Sequence, residues 1–296
     1  MKIEKRKGKS TLLTIGGETK MVSEWAKEKG VDNQTISRRL RNGWSEEDLF
    51  KGVTSSVRHS FDSHYFDAID DEYKAYWIGF IWCDGYMAIR NRKGRTSYEF
   101  KLSLKDTDYG HLKKFNDCMN GNYDINFYTS HSTFGNVTEA RLLITNQHFG
   151  QTLVYQYGLV PHRQNCSKLL SKIPDNLMKH FIRGVLDADG SFTKYKVVDH
   201  GHDVTKYSVV IGTNKDILRA IEKHLTEHGI VTPFERKLQK RHNEDGRDGE
   251  YRSLNFSGGN QCLNILNYLY KDASIYLDRK YEKYLKIVGD MDCNIN

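Results

Sequence analysis

The chain has 296 residues, enough to bury at least one large core and to suggest about two domains. Its longest apolar runs, such as Trp77 to Cys83, fall far short of the ~20 residues that span a bilayer, and the basic stretch Met1 to Ser10 has no apolar core behind it, so a membrane or secreted protein is not expected. Five scattered cysteines without a C-x-x-C pair argue against a disulfide framework or a structural zinc site and fit a reducing cytoplasm.

Net charge is +7, unevenly spread. Residues 1–60 hold 13 Lys/Arg against 8 Asp/Glu, and the remainder holds 32 against 30. The N-terminal segment is therefore the part that attracts a polyanion.

In chain order, Val22 to Lys29 predicts a helix with Val22, Trp25 and Ala26 on one face, ended by Gly30. Asp32 N-caps a second predicted helix, Asn33 to Asn42, and Ser45 with Asp48 starts a short third one ended by Gly52. Two short helices joined through Gly-Val-Asp read as a helix-turn-helix. The second carries Gln34, Thr35, Ser37, Arg38, Arg39 and Arg41, of which Gln34, Thr35, Arg38 and Arg41 are the candidate DNA readers. The bland alternative is a solvated basic helix. Residues 1–52 thus form a small helical module, and 53–64 a polar linker.

The rest is a repeat. Tyr76 to Tyr86 (YWIGFIWCDGY) and Phe181 to Ser191 (FIRGVLDADGS) align with a 105-residue offset, both for Gly79 and Gly184 and for Asp84 and Asp189. Each copy is followed by strand-like alternation, a helix, a second hairpin and another helix, in halves 65–165 and 166–290. Strands that come in hairpin pairs indicate a duplicated α+β unit, not a doubly wound sheet. Pro174-Asp175 reads as the start of the second motif helix with Asp175 as N-cap, and Lys240 to Glu250 as a long hairpin loop.

Gly79 and Gly184 allow two helix backbones to approach closely, which brings Asp84 and Asp189 together at the helix C-termini. Two converging carboxylates at the negative ends of two dipoles disfavour stability, and a divalent cation removes the conflict. The competing reading is a pair of ordinary Asp-Gly turns.

At this point the sequence resembles the LAGLIDADG homing endonucleases in their single-chain, two-motif form. Trp77 to Gly85 and Ile182 to Gly190 stand for the two signatures, over roughly residues 65–290. Trp82 replaces the first aspartate of the first copy, while Asp84 keeps the position of the metal ligand. The resemblance implies pseudo-symmetric halves meeting at the motif helices, each with a four-stranded sheet forming part of a saddle over the major groove. It implies a monomer that binds long double-stranded DNA targets and hydrolyses phosphodiesters with Mg²⁺ (or Mn²⁺) on Asp84 and Asp189, leaving short 3′ overhangs. It also implies a basic residue near each metal, here Arg163 and Lys280, with Arg279 equally placed. The N-terminal module resembles those attached to phage and intron endonucleases.

For DNA contacts, Phe100, Leu102 and Leu104 facing the core put Lys101 and Ser103 on the other face. The hairpin residues Arg90, Arg92, Lys93 and Arg95 join them, with Lys194, Lys196, Arg236, Lys237, Lys240, Arg241 and Arg252 in the second half. His224-Leu-Thr-Glu-His228 matches a metalloprotease pattern, but its place at a helix C-terminus before Gly229 suffices to explain the histidines, and no zinc site is expected there. His200 and His202 read as hairpin-tip residues. Rival functions are an RNA-binding maturase on the same fold and a non-catalytic DNA-binding regulator. Protein splicing is not expected, because Met1 supplies no nucleophile and the chain ends without His-Asn.

Overall fold

Polar, alternating residues open the chain, and they pair into strands that the helical reading of this segment missed. β1 (Lys2–Lys5), β2 (Thr11–Ile15) and β3 (Glu18–Met21) form an antiparallel sheet in that order. Gly16 and Gly17, both at positive φ, make the two-residue turn between β2 and β3. The structure, a computed structural model, describes residues 2–5, 11–51, 59–92, 94–132, 135–161, 165–240 and 251–292. It divides into two units, Met1–Arg58 and His59–Asn296.

In the first unit, α1 (Val22–Lys29), α2 (Asn33–Arg41) and α3 (Glu46–Leu49) follow the sheet. Gly30 closes α1 at φ 65°, Asp32 accepts the Thr35 N–H at 3.0 Å, and Ser45 accepts that of Asp48 at 3.2 Å. Leu13, Val22, Trp25, Val31, Ile36 and Leu49 form its core, and the Trp25 indole donates to the Leu13 carbonyl at 2.9 Å. Arg39 departs from its expected place on the basic face. It is buried, donates to the carbonyls of Leu49 (2.9 Å) and Lys51 (2.6 Å), and lies over the Trp44 ring. It closes the unit instead of reading a base.

The second unit is the duplicated one. Its first half runs α4 (Glu72–Asp84), β4 (Gly85–Arg92), β5 (Arg95–Lys105), α5 (Tyr109–Cys118), β6 (Ile125–Ser132), β7 (Gly135–Thr145) and α6 (Gln147–Gln151), which continues as a π-helical turn over Thr152–Gln156. After α7 (Ser167–Leu170), the second half runs α8 (Met178–Asp189), β8 (Gly190–Asp199), β9 (His202–Asn214), α9 (Lys215–Glu227), β10 (Gln239–Lys240), β11 (Tyr251–Ser257), α10 (Gly259–Tyr270) and α11 (Asp278–Asp292). The antiparallel sheets have matching orders, β4-β5-β7-β6 and β8-β9-β11-β10.

Register makes the duplication explicit. Gly85 pairs with Leu102 and Leu102 with Leu142; in the second half Gly190 pairs with Ile211 and Ile211 with Leu254. The glycine after each motif acid therefore starts the same cross-strand row. One apolar core, from Phe66 and Trp77 to Leu254 and Ile287, runs through both halves.

α4 and α8 meet backbone to backbone. A Cβ at Gly79 would overlap the Phe181 carbonyl oxygen, and one at Gly184 would overlap that of Tyr76 and lie 2.9 Å from the Phe80 nitrogen. A buried Arg183 bolts the pair, donating to Glu72 of α4 at 2.8 Å and to the carbonyls of Ile275 (2.8 Å) and Leu269 (2.9 Å).

Two expectations change here. Asp175 does not cap α8; it opens a 3-10 turn, Asp175–Leu177, and its carboxylate turns to His224 at 3.2 Å. The long loop expected after Lys240, residues 241–250, lies outside the described residues, as do residues 53–58 of the linker.

Candidate active site

Asp84 and Asp189 are the last residues of α4 and α8, partly exposed where the apolar helices end. Close helix approach sets this arrangement, because the glycines that abut lie five residues before each acid. The Lys280 ammonium, in the first turn of α11, feels both carboxylates, although burial is the larger influence and pushes its pKa down to about 8.

Lys280 donates to three carbonyls, those of Leu186 (2.5 Å), Asp187 (2.6 Å) and Gly190 (2.8 Å). All three ammonium protons are thereby committed to closing the end of α8, so its influence on the carboxylates is that of a fixed charge. Its neighbour Arg279 is exposed and bonded to Asp108 at 2.9 Å. Arg163 lies outside the described residues.

Behind Lys280 is a buried polar chain not foreseen from sequence. Asp187, fully buried, accepts from the Tyr270 hydroxyl (2.6 Å), the Tyr76 hydroxyl (2.8 Å) and the Leu277 amide (2.8 Å). Burial raises its pKa, against the nearby Lys280 charge. Tyr76 in turn meets His111 Nε2 at 2.9 Å. Because the tyrosine proton goes to Asp187, the imidazole is the donor. The available signal was Asp187's place in the motif; its counterpart Trp82 is buried, so the two helix ends are braced differently.

Burial, with help from Lys114, Arg279 and Lys280, holds the His111 pKa down at about 3 from 6.5. The unfolded chain therefore binds this proton more strongly between those values, and stability falls as pH drops through 6.5 toward 3. Replacing His111 by Phe is expected to flatten chemical denaturation free energies across that window by up to about 1.4 kcal/mol per pH unit. An unchanged acid slope would contradict a neutral buried His111.

Strand alternation sorts the remaining candidates. Arg90, Arg92, Arg95, Lys101 and Ser103 all share the face of β4 and β5 that points away from Met87, Phe100 and Leu102. Tyr86 and Arg141 join them there, Lys101 lying over the Tyr86 ring and Arg141 bonding Ser103 at 3.2 Å. The second half differs. Lys194 and Lys196 share the helix side of β8 with Phe192, and Arg252 shares that of β11 with Leu254 and Phe256. The face they were expected on carries Ser191, Thr193, Tyr195, Lys206 and Ser208 instead.

Arg236 is likewise corrected. It is buried, and its guanidinium lies between Phe234 and Phe256 with a 2.8 Å bond to Gln261. Lys237 is exposed, whereas Lys93 and Arg241, and the Lys240 side chain, lie outside the described residues. In the first unit, Gln34, Arg38 and Arg41 are exposed along α2, and with Thr35 and Ser37 they line a shallow concavity of about 420 Å³.

No family model and no curated protein matches the sequence. Among solved structures, that of the LAGLIDADG meganuclease I-CpaMI bound to uncleaved DNA matches with a TM-score of 0.50 at 12% identity, over 76% of this chain and 92% of that one. The chain has the LAGLIDADG endonuclease fold. The meganuclease I-AabMI bound to uncleaved DNA gives 0.49 at 12% identity, over 76% and 91%. Among the described residues, no helix is long and apolar enough to cross a membrane. Two carboxylates at the ends of abutting helices offer a hard, all-oxygen donor set of the kind Mg²⁺ or Mn²⁺ takes.

Proposed function

We propose that the chain is a site-specific endonuclease for double-stranded DNA that hydrolyses one phosphodiester per strand at a divalent-metal centre held by Asp84 and Asp189. The observation that carries this reading is the backbone contact of α4 and α8, which sets both acids at one helix-end pair within reach of the Lys280 charge. A divalent ion bound there supplies an activated water and neutralises phosphate charge. Asp84 and Asp189 hold it, Lys280 adds a fixed positive charge, and Arg163 is the proposed counterpart in the first half. The outer faces of the sheets take the major groove, through Arg90, Arg92, Arg95, Lys101 and Ser103 in the first half and Tyr195 and Lys206 in the second. Short 3′ overhangs and a monomeric enzyme belong to this reading.

A test begins with selection of bound duplexes from a random DNA pool in EDTA, followed by Mg²⁺. Cutting of the selected duplexes only after Mg²⁺ is the expected result. Selection without cutting would make the chain a non-catalytic regulator, and preferential selection from a matched structured-RNA pool would make it a maturase.

The first unit is proposed as an added DNA reader through α2. With Arg38→Ala and Arg41→Ala combined, the slope of log affinity against log salt is expected to fall by roughly 2, as for two lost phosphate contacts. An unchanged slope in a filter-binding titration would leave α2 a solvated basic face.

A further inference from the structure

Asp175 leads into α8, about 18 Å along that helix from Asp189. Its carboxylate faces two histidines one turn apart at the end of α9, His224 within it and His228 its C-cap. Oδ1 lies 3.2 Å from His224 Nδ1, and Oδ2 lies 3.9 Å from His228 Nε2, with the two rings 4.0 Å apart between centroids and tilted by 33°.

The outer nitrogen of each ring is committed elsewhere. His228 Nδ1 donates to the His224 carbonyl at 2.9 Å, which leaves a lone pair on Nε2 facing Asp175. His224 Nε2 meets the Tyr268 hydroxyl at 2.9 Å, so Nδ1 is the atom aimed at the carboxylate. Such outer partners orient histidines that ligate metals. Burial of His224 favours the neutral ring that ligation requires.

As it stands, the 3.2 Å contact is a hydrogen bond, and the spacing of the three side chains also suits a shared ion. A tetrahedral ion with bonds of about 2.0–2.1 Å separates its ligand atoms by about 3.3 Å. The separations of 3.2 Å from Oδ1 and 3.9 Å from Oδ2 lie on either side of that edge, and one ligand atom from each residue lies within 4.8 Å of the others. The comparable group in the first half falls short of that edge: Asp67 bonds His64 and His148 at 2.6 and 2.7 Å, too close for ligands around a common ion.

We propose that Asp175, His224 and His228 form a binding site for Zn²⁺, with the fourth position open to water. The ligand set differs from the metalloprotease pattern read in the sequence, because the acid comes from the segment before α8 and not from Glu227. A bound ion staples the entry of the second motif helix to α9. It is a structural ion, separate from the carboxylate pair.

The test uses the full chain carrying Asp84→Asn and Asp189→Asn, stripped with chelator and titrated with Zn²⁺ alone by calorimetry and with Co²⁺ by visible absorption. Binding of one ion is expected, with the intense visible bands of four-coordinate Co²⁺ and a raised melting temperature with Zn²⁺. Adding His228→Ala or the exposed Asp175→Asn is expected to weaken binding by about tenfold or more, whereas His148→Ala leaves it unchanged. Absence of binding, octahedral Co²⁺ spectra, affinity unchanged by Asp175→Asn and by His228→Ala, or loss on His148→Ala would each overturn the site.

Discussion

Gly184→Ala is expected to destabilise the second unit by about 3 kcal/mol, lowering its melting temperature by roughly 6–12 °C. The added methyl would meet the Tyr76 carbonyl oxygen and lie 2.9 Å from the Phe80 nitrogen, both main-chain atoms of α4. Neither can turn aside as a side chain would. The helices must separate, and Phe80, Ile81, Phe181 and Val185, all buried around the contact, lose packing together. Gly110→Ala is the control, since its Cβ would meet nothing within 4 Å on the exposed side of α5; a gain of about 0.5–1 kcal/mol is expected there. Thermal melts of both variants check the contrast. Coincident melting of Gly184→Ala and wild type would contradict the backbone contact.

Replacing Asp84 and Asp189 together by Asn is expected to lower cleavage by about a thousandfold or more while duplex affinity in EDTA stays near wild type. The substitution keeps shape and removes the two charges proposed to hold a divalent ion. The sites are not expected to be equal. Asp189 follows a helix end braced by the Asp187 hydrogen bonds and closed by Lys280, whereas the end before Asp84 is packed around Trp82. The strand assigned to Asp84 is therefore expected to be cut more slowly.

Much of the fold was legible because duplication doubles each signal. The 105-residue offset matched Gly79 with Gly184, and hairpin pairing placed the strands, since alternation in β5 is regular from Tyr98 to Leu104. The same logic failed in β8 because its cations were chosen by charge and not by parity from Phe192, which puts Lys194 and Lys196 on the helix side. Arg39 and Arg236 show the complementary error: a guanidinium that satisfies buried carbonyls or lies between aromatic rings looks, in sequence, like any surface arginine. Tyr270 and His111 were invisible for another reason. They meet Asp187 and Tyr76 across separations of 83 and 35 residues, and no local pattern encodes such partners. β1 to β3 were missed because their strands are short and mostly polar outside Leu13.

The central claim, one acid serving each strand at a shared helix-end pair, is tested most directly by strand-resolved cleavage of a selected, end-labelled duplex in Mg²⁺. Wild type is expected to cut both strands, leaving short 3′ overhangs, and Asp84→Asn and Asp189→Asn are each expected to abolish cutting of at least one strand. Retained double-strand cutting in both variants would contradict the account.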